Sequence, residues 1–377
     1  MDPIAHTFTG MALAAAGLRR ATPLAATALF MGANAPDVDI VAGFLADYQS
    51  LAFRRGWTHG VLALVLWPFV LTGVLLAWDR YVRRRRHPTA APARAGPLLA
   101  LTAIAIVSHP TLDWLNNYGL RWLMPFSGRW YYGDALFVID PWFWLLTGGA
   151  AFVTFSRTKH ARVRWAVFAA LATALIFLNT TLAVSNAAEV VPAPAAIAWL
   201  AGVAALVAAR WWLRDATTAA LERAAQVGLV LAGIYVVVML TVSATARSYV
   251  RAAAAAQGIT AEDIMVAPPP ANPFRGDVVV MTRDEYYVGR FDWLRTPKVS
   301  LDATRVPRPR GPLYEAAARD PSARRFLVWA RYPAIDVEAG PDGATLVRFT
   351  DVRYRTADRL SGPVVTLRAG APAAGAN

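Results

Sequence analysis

The sequence predicts a mainly α protein: a polytopic transmembrane helix bundle followed by a small C-terminal β-rich domain. Three observations carry this. Hydrophobic residues make up 56% of the chain and charged residues only 17%, against about 25% charged in ordinary soluble domains. The apolar residues are gathered in long runs, and a helix that crosses a bilayer needs about 20 of them in succession. From residue 247 onward the pattern changes to short alternating and β-branched runs, the signature of strands.

Asp2-Pro3 has the form of a helix start, an Asp N-cap with Pro at the first helical position. It does not resemble a secretory signal: Asp2 and His6 stand where a basic region belongs, and Arg19-Arg20 follow the apolar run. The segments 4–18 and 22–35, split by that Arg pair, are each too short for an ordinary crossing. They predict a helical hairpin buried among longer helices, or a re-entrant pair. Residues 60–78 form a full span with Pro68 as the site of a kink. Further spans are predicted at 96–112, 140–156, 165–185, 194–213 and 225–246, with a polar, aromatic segment at 113–139.

Charge orients the bundle. The formal charge is +13, but the basic residues flank apolar spans, so the expected partner is the lipid bilayer and no nucleic acid. Loops 79–95, 157–164 and 210–223 hold Arg83 to Arg86, Arg157, Lys159 and Arg214, which assigns them to the cytoplasm. Segments 34–59 and 113–139 and the tail then lie on the outer side, with Arg54 and Arg55 running against the rule.

The chain divides into a transmembrane part, 1–246, and an extramembrane part, 247–377. The Ala-rich 252–256 and Pro268-Pro269-Pro270 read as a connector. Residues 277–293 and 326–355 read as strands, with Pro341-Asp342-Gly343 as a hairpin turn between 334–339 and 344–350. The last ten residues, rich in Gly and Ala, are expected to be disordered.

There are no cysteines, so any metal must sit on imidazole and carboxylate. Of five histidines, His87 and His160 lie in basic loops, while His6, His59 and His109 sit at the edges of apolar segments. His6 lies four residues after Asp2, on one helix face with it; the alternative for Asp2 is a plain N-cap. Asn34-Ala-Pro-Asp37-Val-Asp39 closes an apolar segment, where the two carboxylates can address one cation or make a polar turn. His59 directly precedes the span at 60, beside an interfacial Trp. His109 and Asp113 face one way at the end of a span, as co-ligands or as a hydrogen-bonded pair. Ionisable groups at membrane depth are costly and usually functional, and the topology brings His6, Asp37, Asp39, His59, His109 and Asp113 to one end. Such a donor set suits one or two divalent ions of zinc, manganese or iron, with hydrolytic zinc preferred because it activates water. In segment 113–141, Arg121 or Arg129 is a candidate phosphate clamp. Asp134 is a candidate base, a metal ligand or a hydrogen-bond partner that orients one.

The motifs MDPIAHTFTG, ANAPDVD, RGWTHG, HPTLDWLNNYG and PFSGRWYYGDALFVIDPW, in this order, resemble a bacterial inner-membrane family of metal-dependent hydrolases that includes a LexA-regulated member. The resemblance covers about residues 1–145 well and the later spans loosely, with a weaker likeness in the tail at NPFRGDVVV and EYYVGRFDW. That family is distantly similar to zinc-dependent phospholipase C. The resemblance implies a helical His/Asp metal site, a multi-pass protein of the inner membrane and a phosphoester substrate, lipid or lipid-linked. It carries the ligand role to His6, Asp37, Asp39, His59, His109 and Asp113. In the soluble relatives an N-terminal amine can be a ligand; Met1 is expected to have no such role here. Two rival readings are a transporter or ion-binding protein using the same cluster, and an envelope scaffold acting through its tail.

Overall fold

The structure, a computed structural model, describes residues 1–44, 48–181, 192–354 and 362–368. The expected end of one span at 182–185, the loop at 186–191 and the chain end at 369–377 lie outside the described residues.

Asp2 caps α1 (Pro3–Ala15), accepting from the backbone N–H of Ile4 and Ala5 at 2.9 and 3.2 Å. α2 (Ala25–Asn34) packs back against α1. The two approach so closely that a Cβ on Gly10 would stand 2.6 Å from the Leu29 carbonyl oxygen. This is the short buried hairpin expected from the sequence. The chain continues as a 3₁₀ ribbon, Ala35–Phe44, and then α3 (Gln49–Phe53). α4 (Val61–Trp78) runs on through a π turn into α5 (Arg84–Arg86), so that Val61–Arg86 is one apolar helix ending in four arginines. α6 (Ala95–Trp114) follows.

Asp140 caps α7 (Pro141–Phe155) through the Phe143 N–H at 2.8 Å. The span expected at 140–156 is corrected here: 15 residues reach about 22 Å at 1.5 Å per residue, short of a hydrocarbon core of about 30 Å. α8 (Lys159–Thr181), α9 (Ala193–Trp212) and α10 (Thr218–Ala256) complete the helical part. Among the described residues, five helices are long and apolar enough to cross a membrane. The short helices α1, α2 and α7 pack between them.

The residues 252–256, expected as connector, are the last turns of α10, whose Ala246, Val250 and Ala254 bury against the first sheet. Alanine is the best helix former, and nothing breaks the helix before Gly258, which takes a left-handed φ of 74°. The sheet is antiparallel in the order β1 (Asp263–Ala267), β2 (Arg275–Met281), β3 (Glu285–Asp292), β4 (Val299–Pro307). α11 (Pro312–Ala318) and α12 (Pro321–Trp329) lead to a second antiparallel sheet, β5 (Pro333–Ala339), β6 (Thr345–Asp351), β7 (Val364–Leu367). The turn at Pro341-Asp342-Gly343 joins β5 to β6 as expected, with left-handed φ at Asp342 and Gly343. Phe326–Trp329, read as strand, is instead the end of α12. Its Phe326 and Trp329 side chains bury in one cluster with Val347 and Phe349.

This C-terminal β-rich unit sits on the helix ends. Arg331 donates to both oxygens of Asp134 at 3.0 Å and reaches Asp263 Oδ2 at 3.1 Å. Arg353 Nη1 donates to the Asn117 carbonyl at 2.6 Å, and Trp130 Nε1 to that of Val328 at 2.7 Å.

Candidate metal centre

Four elements meet at the end of the bundle that carries the C-terminal β-rich unit. The 3₁₀ ribbon leaving α2 brings Asp37 and Asp39. The turn entering α4 brings His59, and the last turns of α6 bring His109 and Asp113. α1 brings His6 one turn from its start. The local sequence explains the entry of His59. Gly60 passes so near residue 124 that a Cβ would stand 2.5 Å from the Met124 carbonyl oxygen, so only glycine lets the chain turn there.

Asp37, His59, His109 and Asp113 each offer one donor atom within 4.8 Å of all the others. His59 Nε2 lies 3.1 Å from His109 Nε2 and 3.2 Å from Asp113 Oδ2; His109 Nε2 lies 3.6 Å from Asp37 Oδ1. The outer nitrogens fix the tautomers. His109 Nδ1 is 2.7 Å from the Ala33 carbonyl oxygen, which only accepts, so Nδ1 carries the proton. Thr58 Oγ1 donates to Asp39 Oδ2 at 2.9 Å and is left to accept from His59 Nδ1 at 2.8 Å. Both Nε2 atoms therefore turn lone pairs toward each other and toward two carboxylates. That arrangement is repulsive by itself and fits a cation.

Around these four the other expected ligands take different places. His6 stacks on His109, centroids 3.7 Å apart, with Nε2 3.3 Å from Asp113 Oδ1. Neither His6 ring nitrogen, nor Asp113 Oδ2, has a partner with hydrogen-bond geometry among the described residues. Asp39 stands behind His59, accepting from Thr58 and from the Arg55 backbone N–H at 2.8 Å. The Met1 nitrogen, given no role above, bonds Asp113 Oδ1 directly. Asp2 is the N-cap and also accepts from Trp144 Nε1 at 3.1 Å.

The residues expected to act catalytically are engaged elsewhere. Asp134 holds Arg331, with Arg247 at 3.6 Å. Arg121 donates to the carbonyls of Ala52, Phe53 and Arg54. Arg129 is exposed beside the Tyr131 ring. Sequence reasoning missed Thr58 and gave Arg55 only an orienting role. Arg55 is buried, its guanidinium 3.1 Å from Asp113 Oδ1, 3.2 Å from Asn116 Oδ1 and over the Tyr118 ring. Buried on a carboxylate, it is not a free loop charge.

Protein comparisons agree with this picture at a coarse level. "Uncharacterized protein YfhP" of Bacillus subtilis (strain 168) is 25% identical over 155 residues, 38% of this chain and 43% of that protein. The similarity thus spans less than half of the relative's length. No solved structure matches the chain. The model of the YdjM inner membrane protein family matches residues 1–187, the part supplying every donor of the cluster.

Proposed function

We propose that this protein is a membrane-bound, metal-dependent hydrolase that cleaves a phosphoester of a lipid or lipid-linked substrate. The observation that carries the reading is the pair of imidazole lone pairs, His59 Nε2 and His109 Nε2, 3.1 Å apart beside Asp37 and Asp113. Two nitrogens and two carboxylates are a donor set for a divalent ion such as zinc, with His6 adjacent for a wider or second site. When bound, such an ion supplies Lewis acidity to water and to a phosphoryl oxygen.

The chain's own residues do the rest. Asp39, through Thr58, keeps the His59 lone pair turned inward. Arg55 balances the Asp113 charge. The Asp37 side chain is 17% exposed while those of His59, His109 and Asp113 are fully buried, so water and substrate meet the cluster at Asp37. Arg54, one-third exposed and 3.8 Å from Asp37 Oδ1, is the guanidinium placed to receive a substrate phosphate there. Placement of this end on the periplasmic side is supported by the arginines at the opposite ends of α4, α7 and α9.

The test is metal analysis of purified protein beside a His109→Ala variant, with hydrolysis of a detergent-solubilised lipid phosphate followed with and without added zinc or manganese. We expect bound metal and metal-dependent phosphate release in the wild type, and neither in the variant. A wild type free of metal after purification from metal-replete cells overturns the reading. Metal without turnover leaves an ion-binding protein or transporter.

A further inference from the structure

We infer that the 3₁₀ ribbon Ala35–Phe44 docks on the lipid surface, so that the mouth of the metal centre opens sideways into the bilayer. This rests on the metal-centre reading above but not on the chemistry performed there.

The ribbon is amphipathic at the 3₁₀ period. With three residues per turn, positions i and i+3 eclipse. Pro36, Asp39 and Ala42 are buried and form the inner row. Val38, Val41 and Phe44 form a second row, all exposed, with Phe44 at 93%, and Ile40 beside them is exposed too. The inner row holds Asp39 against the metal centre while the outer row turns large apolar groups away from the protein. A soluble surface rarely carries such a contiguous apolar patch, which marks an interaction site.

The occupant follows from what borders the row. The ribbon grows directly from α2, where Phe30 and Met31 are exposed, and it packs on α3, just ahead of the turn to α4. On that turn and helix, Trp57, Val61 and Leu62 are exposed, and the outward wall of α4 continues at Val65 and Leu66. α4 is the start of a membrane span, so the apolar row extends a surface already in lipid, with Trp57 in the place of an interfacial aromatic. The other side is covered. Tyr118 lies on Arg55 and against Trp329 of α12, and α12 packs on α3. The exposed donor, Asp37, belongs to the ribbon itself. A substrate that enters there comes along the lipid face, past Arg54.

The chain has no cysteine, so single cysteines can be labelled selectively. Val41→Cys and Phe44→Cys, each carrying an environment-sensitive fluorophore, are reconstituted in phosphatidylcholine/phosphatidylglycerol nanodiscs. Leu62→Cys serves as the lipid-wall control and Arg310→Cys as the aqueous control. We expect acyl-brominated lipids to quench the Val41 and Phe44 labels at least half as strongly as the Leu62 label, and iodide to spare them relative to Arg310. Labels quenched by iodide and not by bromolipid overturn the inference. Labels protected from both also overturn it, because a protein partner such as a second copy would then cover the row. Since the readout needs no turnover, an inactive but bromolipid-quenched protein would count against the hydrolase reading alone.

Discussion

Removing one hydroxyl that touches no metal ligand atom on its coordinating side should weaken the metal centre. Thr58→Val keeps the shape of the side chain and deletes the link between Asp39 and His59. With the link gone, His59 Nδ1 faces Asp39 Oδ2 at 3.4 Å, a longer contact that holds the ring and its Nδ1 proton less firmly, so the Nε2 lone pair is less well aimed. Loss of such an outer partner typically costs about 10–100-fold in metal affinity, or about 1.4–2.7 kcal/mol at 1.36 kcal/mol per decade. Deleting a ligand costs more. If four ligands share an apparent binding free energy of about 10–16 kcal/mol, His59→Ala forfeits about 2.5–4 kcal/mol, two to three decades. The assay is competition for zinc between metal-stripped protein in detergent and a chromophoric chelator, with wild type, Thr58→Val and His59→Ala side by side. The expected order of affinity is wild type, then Thr58→Val, then His59→Ala. Wild-type affinity in Thr58→Val with loss in His59→Ala would refute the assignment of the His59 tautomer. Wild-type affinity in both would remove the cluster as the metal site.

Arg331→Ala removes the paired guanidinium from the buried Asp134 and leaves Arg247 at 3.6 Å. Breaking a buried pair in this way costs about 3–5 kcal/mol, and it should appear as faster proteolysis of residues 257–354 with metal content retained. Gly60→Ala places a Cβ 2.5 Å from the Met124 carbonyl oxygen, displacing His59; metal retained per molecule should fall below half of wild type by elemental analysis. Arg54→Gln should raise KM for a lipid phosphate about tenfold or more, the worth of one charge-assisted hydrogen bond, and change kcat less. At Asp263, burial alone would raise the carboxyl, but Arg331 and the Tyr332 hydroxyl hold it below its ordinary 3.8. A depressed folded value means its contribution is present above pH ~3.8 and fades as pH falls through the lower folded value. The exchange protection of β1 amides, relative to their intrinsic rate at each pH, should therefore fall below about pH 4 in the wild type, while Asp263→Asn shows little such change.

The long spans were legible because lipid as a solvent demands uninterrupted apolar runs, and α4, α6, α9 and α10 supply them. α7 was overrated because its 15 residues are almost all apolar, and apolar composition does not register that the helix is a few residues short of a crossing. In α12, Phe326, Val328 and Ala330 alternate like a strand, but the Asp320 cap, which accepts from Ser322 and Ala323, sets a helix. The donors themselves stood out because imidazole and carboxylate are conspicuous in apolar surroundings. Their outer partners did not, since a threonine in a turn carries no signal until Asp39 is folded over it. Asp134 looked like a catalytic group for a similar reason: its partner Arg331 lies 197 residues away, beyond any spacing rule.

α10 has 39 residues, about 58 Å at 1.5 Å per residue, nearly twice the hydrocarbon thickness of about 30 Å. One unbroken helix thus runs from a candidate membrane span into the first sheet, with Ser243, about two-thirds along it, donating to the Asp134 carbonyl and Val250 and Ala254 seated in the sheet's core. The C-terminal β-rich unit is mounted on this helix and joined to it by the short segment 257–262. Its angular setting is therefore fixed by residue count: one residue added inside α10 would turn everything beyond it by about 100° and carry Arg331 away from Asp134. Length within this helix, more than the identity of its outward-facing side chains, decides whether Arg331 can meet Asp134.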